Sequence, residues 1–341
     1  MAELRLGIVG ATGVVGNEII KIIQERKMEF KDIKLLASKK SVGKKVKFYN
    51  KDLVVEDLSE ETFEDIDILL VAVNSDLSKK YSLLAAKKGV TVIDNSSAFR
   101  LKKDVPLIVP EVNSDDIDNH NGIISNPNCS TIIALTALNK INKYAGIKRM
   151  VVSTYQAVSG AGAQGLQELK EQISDLENNR DIKVKAFQYQ IAHNLIPQIG
   201  PFNSDGYSEE EMKMQNEGRK IFNNPNLKIS CTCVRVPVYR SHSESITIET
   251  EKEITVEKAR EILSKSPGVK LVDDPSNSKY PMPLDTSNQD LIFVGRVRKD
   301  ITSEDNKSLT LWCCGDQIRK GAATNAVQIL EKVIEKKAYR N

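Results

Sequence analysis

The 341-residue sequence has no surplus of charge of either sign: 49 lysines and arginines stand against 46 aspartates and glutamates, a formal net charge of +3 at pH 7. Such a balance offers no electrostatic footprint for nucleic acid or for a membrane surface, which leaves small molecules as the expected partners. Cysteine is sparse. The five thiols, Cys129, Cys231, Cys233, Cys313 and Cys314, are odd in number and include no CxxC pair, which excludes a secreted disulfide framework. Three histidines are too few for an obvious zinc site, and no metal is expected. No basic segment followed by an apolar one opens the sequence, and no apolar run is long enough to cross a bilayer. The expected setting is a reducing cytoplasm. Repeats and low-complexity linkers are missing as well, so the domains are expected to meet through close-packed crossings.

The length suits two domains, each large enough to bury its own core. Over the first third, β-branched runs alternate with helical stretches: LRLGIVG, then GNEIIKIIQER, then IKLLAS, IDILLVAV and GVTVIDNS. That alternation predicts a Rossmann-type, doubly wound parallel sheet in an α/β fold. After about residue 145 the runs MVVSTYQAVSG, ISCTCVRVPVYR, SESITIETEKE, DLIFVGRVRKD and SLTLWCCGD read as strands with few helices between them. They predict a second α+β domain with a mixed or antiparallel sheet. The stretch IRKGAATNAVQILEKVIEKK reads as a long amphipathic helix. The expected division is a dinucleotide domain over 1–127, a catalytic and dimerisation domain over 128–316, and a segment over 317–341 that returns to the first domain.

The first strand runs into GATGVVG, with Gly10, Gly13 and Gly16 spaced three apart. This is a variant of the dinucleotide loop: glycine permits the tight turn and a close backbone approach to a pyrophosphate. The helix that follows, from about Thr12, aims free N–H groups at the phosphates. Gly10, Thr12, Gly13, Val14 and Val15 are the candidate cofactor residues here. An NAD site would place an acid at the end of the second strand to hold the ribose 2′-hydroxyl. This chain has Ser38, Lys39, Lys40 and Ser41 there. Hydroxyls and ammonium groups suit a 2′-phosphate, so NADP is the expected cofactor, with the contact left open between Lys39 and Lys40.

Cys129 lies in SNPNCSTIIALTALNK, directly before an apolar helical run. Unpaired N–H groups and the helix dipole favour a thiolate at such a place. Settings of this kind lower a thiol pKa from ~8.5 into a range of roughly 3.5 to 7.5. The same N–H groups can stabilise an oxyanion on an attacked carbonyl. A dinucleotide domain with a cysteine nucleophile points to an acyl-thioester that undergoes hydride transfer. The other four cysteines lie on strand-like runs and read as inert packing.

GATGVVG, NSSAFR, VPEVN, SNPNCST, YQAVSGAG, EEMK, RVPVYRSHSES and RKGAATNAVQI occur in this order along nearly the whole chain. Together they resemble the aspartate-β-semialdehyde dehydrogenases, with SNPNCST followed by YQAVSGAG the most specific part. The resemblance implies NADPH-dependent reduction of L-β-aspartyl phosphate to L-aspartate 4-semialdehyde with release of phosphate. It places the reaction in the aspartate pathway to lysine and diaminopimelate, methionine, threonine and isoleucine. It implies that Cys129 attacks the acyl phosphate and that His242 manages protons, a task suited to an imidazole whose ordinary pKa of ~6.5 lies near working pH. By the same match Gln156 orients the acyl group, and Ser159 and Gly160 approach the cofactor. Arg235 grips the α-carboxylate through its guanidinium fork, and Arg100 and Lys213 bind phosphate. Glu210 holds the substrate ammonium and is preferred to Glu211, because it lies three residues before Lys213 on one helix face. Gln317 would sit near the nicotinamide, with Asn325 a further candidate. His120 and His193 receive no role.

The resemblance also implies a homodimer or a larger assembly such as a tetramer, formed through the second domain. Two departures stand out. Met212 takes a place where some members carry tryptophan, and Lys40 stands where others carry arginine, which keeps the charge and loses the bidentate geometry. The alternatives are an N-acetyl-γ-glutamyl-phosphate reductase, whose thiol typically follows a glycine where this chain has Asn128, and a non-catalytic NADP-binding regulator.

Overall fold

The computed structural model describes residues 3–338; the first two residues and the end of the expected C-terminal segment, 339–341, lie outside the described residues. The chain forms two compact units: residues up to Asn128 together with those from Ala322 onward, and Cys129–Gly321.

In the first unit the order is β1 (Arg5–Val9), α1 (Val14–Glu25), β2 (Asp32–Ala37), β3 (Lys45–Phe48), β4 (Lys51–Asp57), β5 (Ile68–Val71), α2 (Ser75–Lys87), β6 (Thr91–Asp94), α3 (Pro110–Asn113) and β7 (Ile123–Ser125). The seven strands lie in the order β3-β4-β2-β1-β5-β6-β7. All pairings are parallel except the β3–β4 hairpin at one edge. The runs RLGIV and ILLV are almost wholly buried, as strands covered on both faces must be. Period-two alternation divides their side chains: Leu6 and Ile8 join the core under α1, and Val9 joins the core with Ala85 of α2. Strand order reverses at β1, whose neighbours are β2 and β5, and this is the switch point at which such sheets bind ligands. α1 begins at Val14, two residues later than the glycine spacing implies, because Thr12 and Gly13 belong to the turn.

The second unit carries α4 (Cys129–Ala145), β8 (Ile147–Ala157), α5 (Gly162–Glu177), α6 (Glu209–Ile221), β9 (Lys228–Val236), β10 (His242–Thr250), α7 (Val256–Ser264), β11 (Val269–Leu271), α8 (Pro283–Thr286), β12 (Ile292–Lys299) and β13 (Ser308–Gly315). Its sheet runs β11-β12-β13-β10-β8-β9, parallel at β8–β9 and β11–β12 and antiparallel elsewhere, so it is mixed as expected. The helices are more numerous than the strand-rich sequence implies. α4, α6 and α7 pack against the sheet, and α4 contributes the buried Ile132, Ile133, Leu135, Leu138 and Ile141. Burying each such side chain contributes about 1.5–3 kcal/mol. A π-helical turn, Arg319–Ala323, leads into α9 (Thr324–Ala338). α9 packs with α1, and its Ala326, Val327, Ile329, Leu330, Val333 and Ile334 complete the core that holds Ile8 and Ile19. No described helix is long and apolar enough to cross a membrane.

Candidate active site

The predicted residues fall on both units. In the first, a cleft of about 430 Å³ opens at the C-terminal ends of β1, β2 and β4 and is lined by Gly10, Thr12, Gly13, Ser38, Lys39 and Asp57, among others. Gly10 has φ +81°, and a Cβ there would lie 2.3 Å from the Ala72 carbonyl oxygen, so only glycine fits this turn. The N-cap of α1, Gly13, has no side chain to bond the first helical N–H groups, and the first turn holds no acid. Val14 and Val15 begin that turn, which therefore presents backbone donors where a pyrophosphate would sit. The Thr12 hydroxyl donates to the Ser41 hydroxyl at 3.2 Å and ties the glycine turn to the segment after β2. Lys39 lines the cleft, and Lys40 is the next residue of the same short 3₁₀ turn; both are exposed. Asp57, at the end of β4, was not singled out from the sequence, because a lone acid closing a strand carries no spacing signal.

Arg100 is also in this unit, buried, with Nε donating to the Asn126 carbonyl at 3.0 Å and Nη2 to the Asn95 carbonyl at 2.9 Å. Asn325 is committed to the same framework. Its Nδ2 donates to the Ile108 carbonyl at 2.9 Å and to the Asn126 side chain at 2.7 Å.

In the second unit Cys129 is the first residue of α4 rather than the residue before it. It is partly accessible, whereas Cys231, Cys233, Cys313 and Cys314 are buried. The Cys233 hydrogen bond and burial push the Cys231 thiol well above its ordinary value, burial does the same for Cys313, and burial pushes Cys314 up to about 12. Such thiols are poor nucleophiles. A Cβ placed on Gly321, in the π-helical turn, would lie 3.0 Å from the Cys129 Cβ, so the backbone there passes close beside the thiol-bearing residue. Nothing in the sequence signals this approach; π-turns are, however, frequent at functional sites.

In the same unit the sheet supplies one row of polar side chains. Gln156 of β8 pairs in register with Arg235 of β9, and His242 begins β10 on the other side of β8. The three are buried. Ala157 holds two of them through its own peptide group: its N–H donates to His242 Nδ1 at 3.0 Å, and its carbonyl accepts from Arg235 Nη1 at 2.7 Å. Because Nδ1 accepts, the neutral ring carries its proton on Nε2. That Nε2 is buried and has no partner among the described residues. Burial, with the nearby Arg235 charge, pulls the imidazole well below its usual range, so the ring is neutral. A Cβ on Gly160 would lie 2.7 Å from Arg235 Nη1 and 3.2 Å from His242 Nε2. Gly160 therefore marks the space that both groups face.

Burial lowers the Arg235 guanidinium from its ordinary value, while the charges of Glu210 and Cys129 act in the opposite sense. That opposing effect places the Cys129 sulfur within electrostatic reach of the cation. Gln156 donates from Nε2 to Glu210 Oε1 at 3.1 Å and accepts from the Thr154 hydroxyl at 3.0 Å. Lys213 Nζ lies 3.3 Å from Glu210 Oε2 and 2.9 Å from Glu209 Oε1. Glu211 is occupied elsewhere: it caps α6 through the Ser208 N–H at 2.6 Å and accepts from the Cys233 N–H at 2.9 Å. Glu210 is thus the acid of the pair turned toward Gln156. Gln317 accepts from the Ser241 N–H at 2.8 Å and donates to the Ser159 hydroxyl, which joins two predicted cofactor residues to the turn before His242. Among the described residues no cluster of metal-ligating side chains occurs.

The geometry offers an accessible thiol at a helix N-terminus, a neutral imidazole with a free donor, a buried guanidinium and an amide, and a separate dinucleotide cleft. Known proteins share this arrangement of sequence. Residues 5–120 match the family described as semialdehyde dehydrogenase, NAD binding domain, and residues 138–320 the family described as semialdehyde dehydrogenase, dimerisation domain. Aspartate-semialdehyde dehydrogenase of Aquifex aeolicus is 50% identical over 335 residues, covering 97% of this chain and 98% of the relative. The Campylobacter jejuni enzyme of the same name is 49% identical over 339 residues, with 98% of each covered. A crystal structure of aspartate semialdehyde dehydrogenase II from Vibrio cholerae, complexed with ASA, superposes with a TM-score of 0.95 at 42% identity, covering 98% of this chain and 99% of that one. The chain belongs to the aspartate-semialdehyde dehydrogenase family, oxidoreductases with an NAD(P)-binding domain.

Proposed function

We propose that this oxidoreductase converts L-β-aspartyl phosphate to L-aspartate 4-semialdehyde and inorganic phosphate with NADPH, through a thioester on Cys129. The observation that carries the reading is the row Arg235, Gln156, His242 on one sheet face, with the accessible Cys129 at the start of α4 in the same unit. Arg235 holds the α-carboxylate and Glu210 the ammonium, which fixes the substrate by both ends of its amino-acid head. Lys213 and Arg100 receive the phosphate. Gln156 orients the acyl group; a neutral amide does this without competing as nucleophile or base.

The Cys129 sulfur attacks the acyl carbon, a C–S bond forms, and the bond to the phosphate oxygen breaks as phosphate leaves. NADPH, when bound, supplies a hydride to the thioester carbon. His242 donates a hydrogen bond from Nε2 to the substrate oxygen as it gains negative charge in each tetrahedral stage. This is the acid half of the role that the resemblance implies. Collapse of the thiohemiacetal oxyanion re-forms the carbonyl, breaks the C–S bond and returns the sulfur as thiolate. No proton has to be removed by Nε2, which already carries one.

The glycine turn and the uncapped start of α1 fit a pyrophosphate. Gly10, Thr12, Gly13, Val14 and Val15 would line it, and Ser38, Ser41 and one of Lys39 and Lys40 would meet the 2′-phosphate. Ser159, Gly160 and Gln317 would meet the nicotinamide. The unit Cys129–Gly321 carries catalysis and self-association into a homodimer. Its sheet has a face away from α4 on which Val151 and Tyr155 stay exposed beside Trp312, an apolar surface for a second copy. The reading places the enzyme in cytoplasmic amino-acid biosynthesis, upstream of lysine, methionine, threonine and isoleucine.

Mass spectrometry of the enzyme mixed with aspartyl phosphate, nucleotide withheld, tests the reading. A β-aspartyl adduct on Cys129 is expected, and Cys129→Ala should abolish phosphate-dependent NADP reduction. An unmodified sulfur, or turnover that survives the substitution, would overturn the covalent route.

A further inference from the structure

Glu244 is completely buried, and neither carboxyl oxygen has a hydrogen-bond partner among the described residues. β10 alternates, so Glu244 shares its covered face with His242, Ile246 and Ile248. Register sets its neighbours: Thr154 of β8 on one side, Cys313 of β13 on the other, and Cys233 of β9 beyond Thr154. This row lies directly beneath the row of His242, Gln156 and Arg235. The titratable groups around it are His242 on its own strand, Cys231, Cys233 and Arg235 on β9, Cys313 and Cys314 on β13, and Glu210, Glu211 and Lys213 on α6. β8 turns only Met150, Val152, Thr154 and Gln156 to this face, and α4 has Cys129 at its start and its lysines, Lys140 and Lys143, in solvent. The nearest cations bond other groups, Arg235 the Ala157 carbonyl and Lys213 the carboxylates of Glu209 and Glu210, and burial with Cys233 and Glu210 pushes the Glu244 carboxyl well above the usual range. An ionised carboxylate without donors costs several kcal/mol, so the group keeps its proton.

A protonated carboxyl must donate, and Thr154 decides where. The Gln156 amide gives Nε2–H to Glu210, which leaves Oε1 to accept, and the Thr154 hydroxyl donates its single proton to that Oε1. Thr154 Oγ1 can then only accept from a third group. Directly opposed residues on antiparallel strands have Cβ atoms about 4.5–5.5 Å apart, within reach of a glutamate side chain. The structure shows the links from Thr154 to Gln156 and from Gln156 to Glu210; Glu244, opposite Thr154 in register, would extend them by turning its proton to Thr154 Oγ1. We infer that Glu244 is a positioning residue: as a neutral acid it leaves the Thr154 proton on the Gln156 amide, and on losing its own proton it takes the Thr154 hydroxyl for itself and releases that amide. Hydrogen bonds to a charged acceptor are roughly twice as strong as neutral ones, so the ionised carboxylate wins the competition for Thr154. The inference rests on the acyl-orienting role of Gln156 proposed above.

The experiment compares pH profiles of kcat and KM for wild type, Glu244→Gln, Thr154→Val, Thr154→Ser and the double variant Glu244→Gln/Thr154→Val. Wild-type kcat should fall on the alkaline side, and Glu244→Gln, which has no proton to lose, should lack that decline. Thr154→Val should lower kcat about fivefold at neutral pH with KM little changed, the effect of one lost hydrogen bond. Thr154→Ser should restore the rate, and adding Glu244→Gln to Thr154→Val should change nothing further. An alkaline limb that coincides in wild type and Glu244→Gln would overturn the inference. Should Glu244→Gln fail to fold, wild-type kcat in Thr154→Val, or no rescue in Thr154→Ser, overturns it equally. Trapping of the Cys129 adduct in each sample separates the two readings. No adduct in wild type defeats the thioester; an adduct with unaltered pH profiles defeats the role of Glu244 alone.

Discussion

The peptide N–H of Ala157 points at Nδ1 of His242 from 3.0 Å. A backbone amide can only donate, so this contact fixes the ring tautomer without any carboxylate partner. It also opposes protonation, because an imidazolium would set two donors face to face. The buried ring is therefore held neutral, with its Nε2–H available as a hydrogen-bond donor.

The first prediction follows from that contact. The imidazole lies well below its ordinary range, so kcat/KM should show no acid-side decline near pH ~6.5, the value for a free histidine. The decline due to this group should come only at lower pH. His242→Gln, which offers an amide N–H, should retain more activity than His242→Ala, expected to lose roughly 100- to 10,000-fold in kcat. Equal losses in the two variants would mean that the ring acts as a base rather than a donor. Steady-state kinetics from pH 5 upward decide this.

Gly321→Ala is the second. Its new methyl group would meet the Cys129 Cβ at 3.0 Å, closer than packed carbons tolerate. The thiol-bearing side chain should move, and misplacement on this scale lowers the rate by about tenfold or more. Alkylation of Cys129 by iodoacetamide should slow with it, whereas the KM for NADP should stay near that of wild type. A variant with wild-type kcat would show that the π-helical turn does not constrain the nucleophile.

Glu244→Gln makes a stability prediction. Well below pH ~4, the ordinary glutamate value, both folded and unfolded chains hold the proton, and variant and wild type should melt together. Above it the unfolded chain releases the proton while the folded chain, with its raised carboxyl, keeps it. Wild-type stability therefore falls as pH rises toward the folded value. Glutamine has no proton to release, so at pH 8 the variant should melt higher, by roughly 2 °C or more. Coincident melting curves at pH 8 would mean that Glu244 titrates normally.

Lys39 and Lys40 give the fourth. Lys39 lines the nucleotide cleft and Lys40 does not. Lys39→Ala should raise the KM for NADP by about tenfold, the worth of one charge-assisted contact, and leave that for NAD nearly unchanged. Lys40→Ala should have the smaller effect; the reverse order would move the 2′-phosphate to Lys40.

What could be read in advance was what depends on local chemistry. GATGVVG announces its turn because its glycines alone tolerate the backbone, and Cys129 announces itself because a helix starts on it. The spacing of Glu210 and Lys213 placed them on one helix face, and the structure has them 3.3 Å apart. Contacts between distant segments were silent: Gly321 beside Cys129, and the Ala157 peptide serving both Arg235 and His242. Helices α5, α6 and α7 were undervalued because their polar composition lacks the apolar runs that mark the strands around them. Glu244 did leave a signal, an acid at the buried parity of the alternating run HSESITIET, and it passed unread.

The chain supplies the core around Ile8 and Ile19 from both ends, with α9 contributing its final apolar stripe. During synthesis the dinucleotide unit must therefore wait, half-built, for residues that emerge last, while the uninterrupted stretch Cys129–Gly321 can mature ahead of it. A nascent polypeptide that still lacks α9 would carry an open apolar face on its first unit, a substrate for chaperones and proteases rather than for turnover.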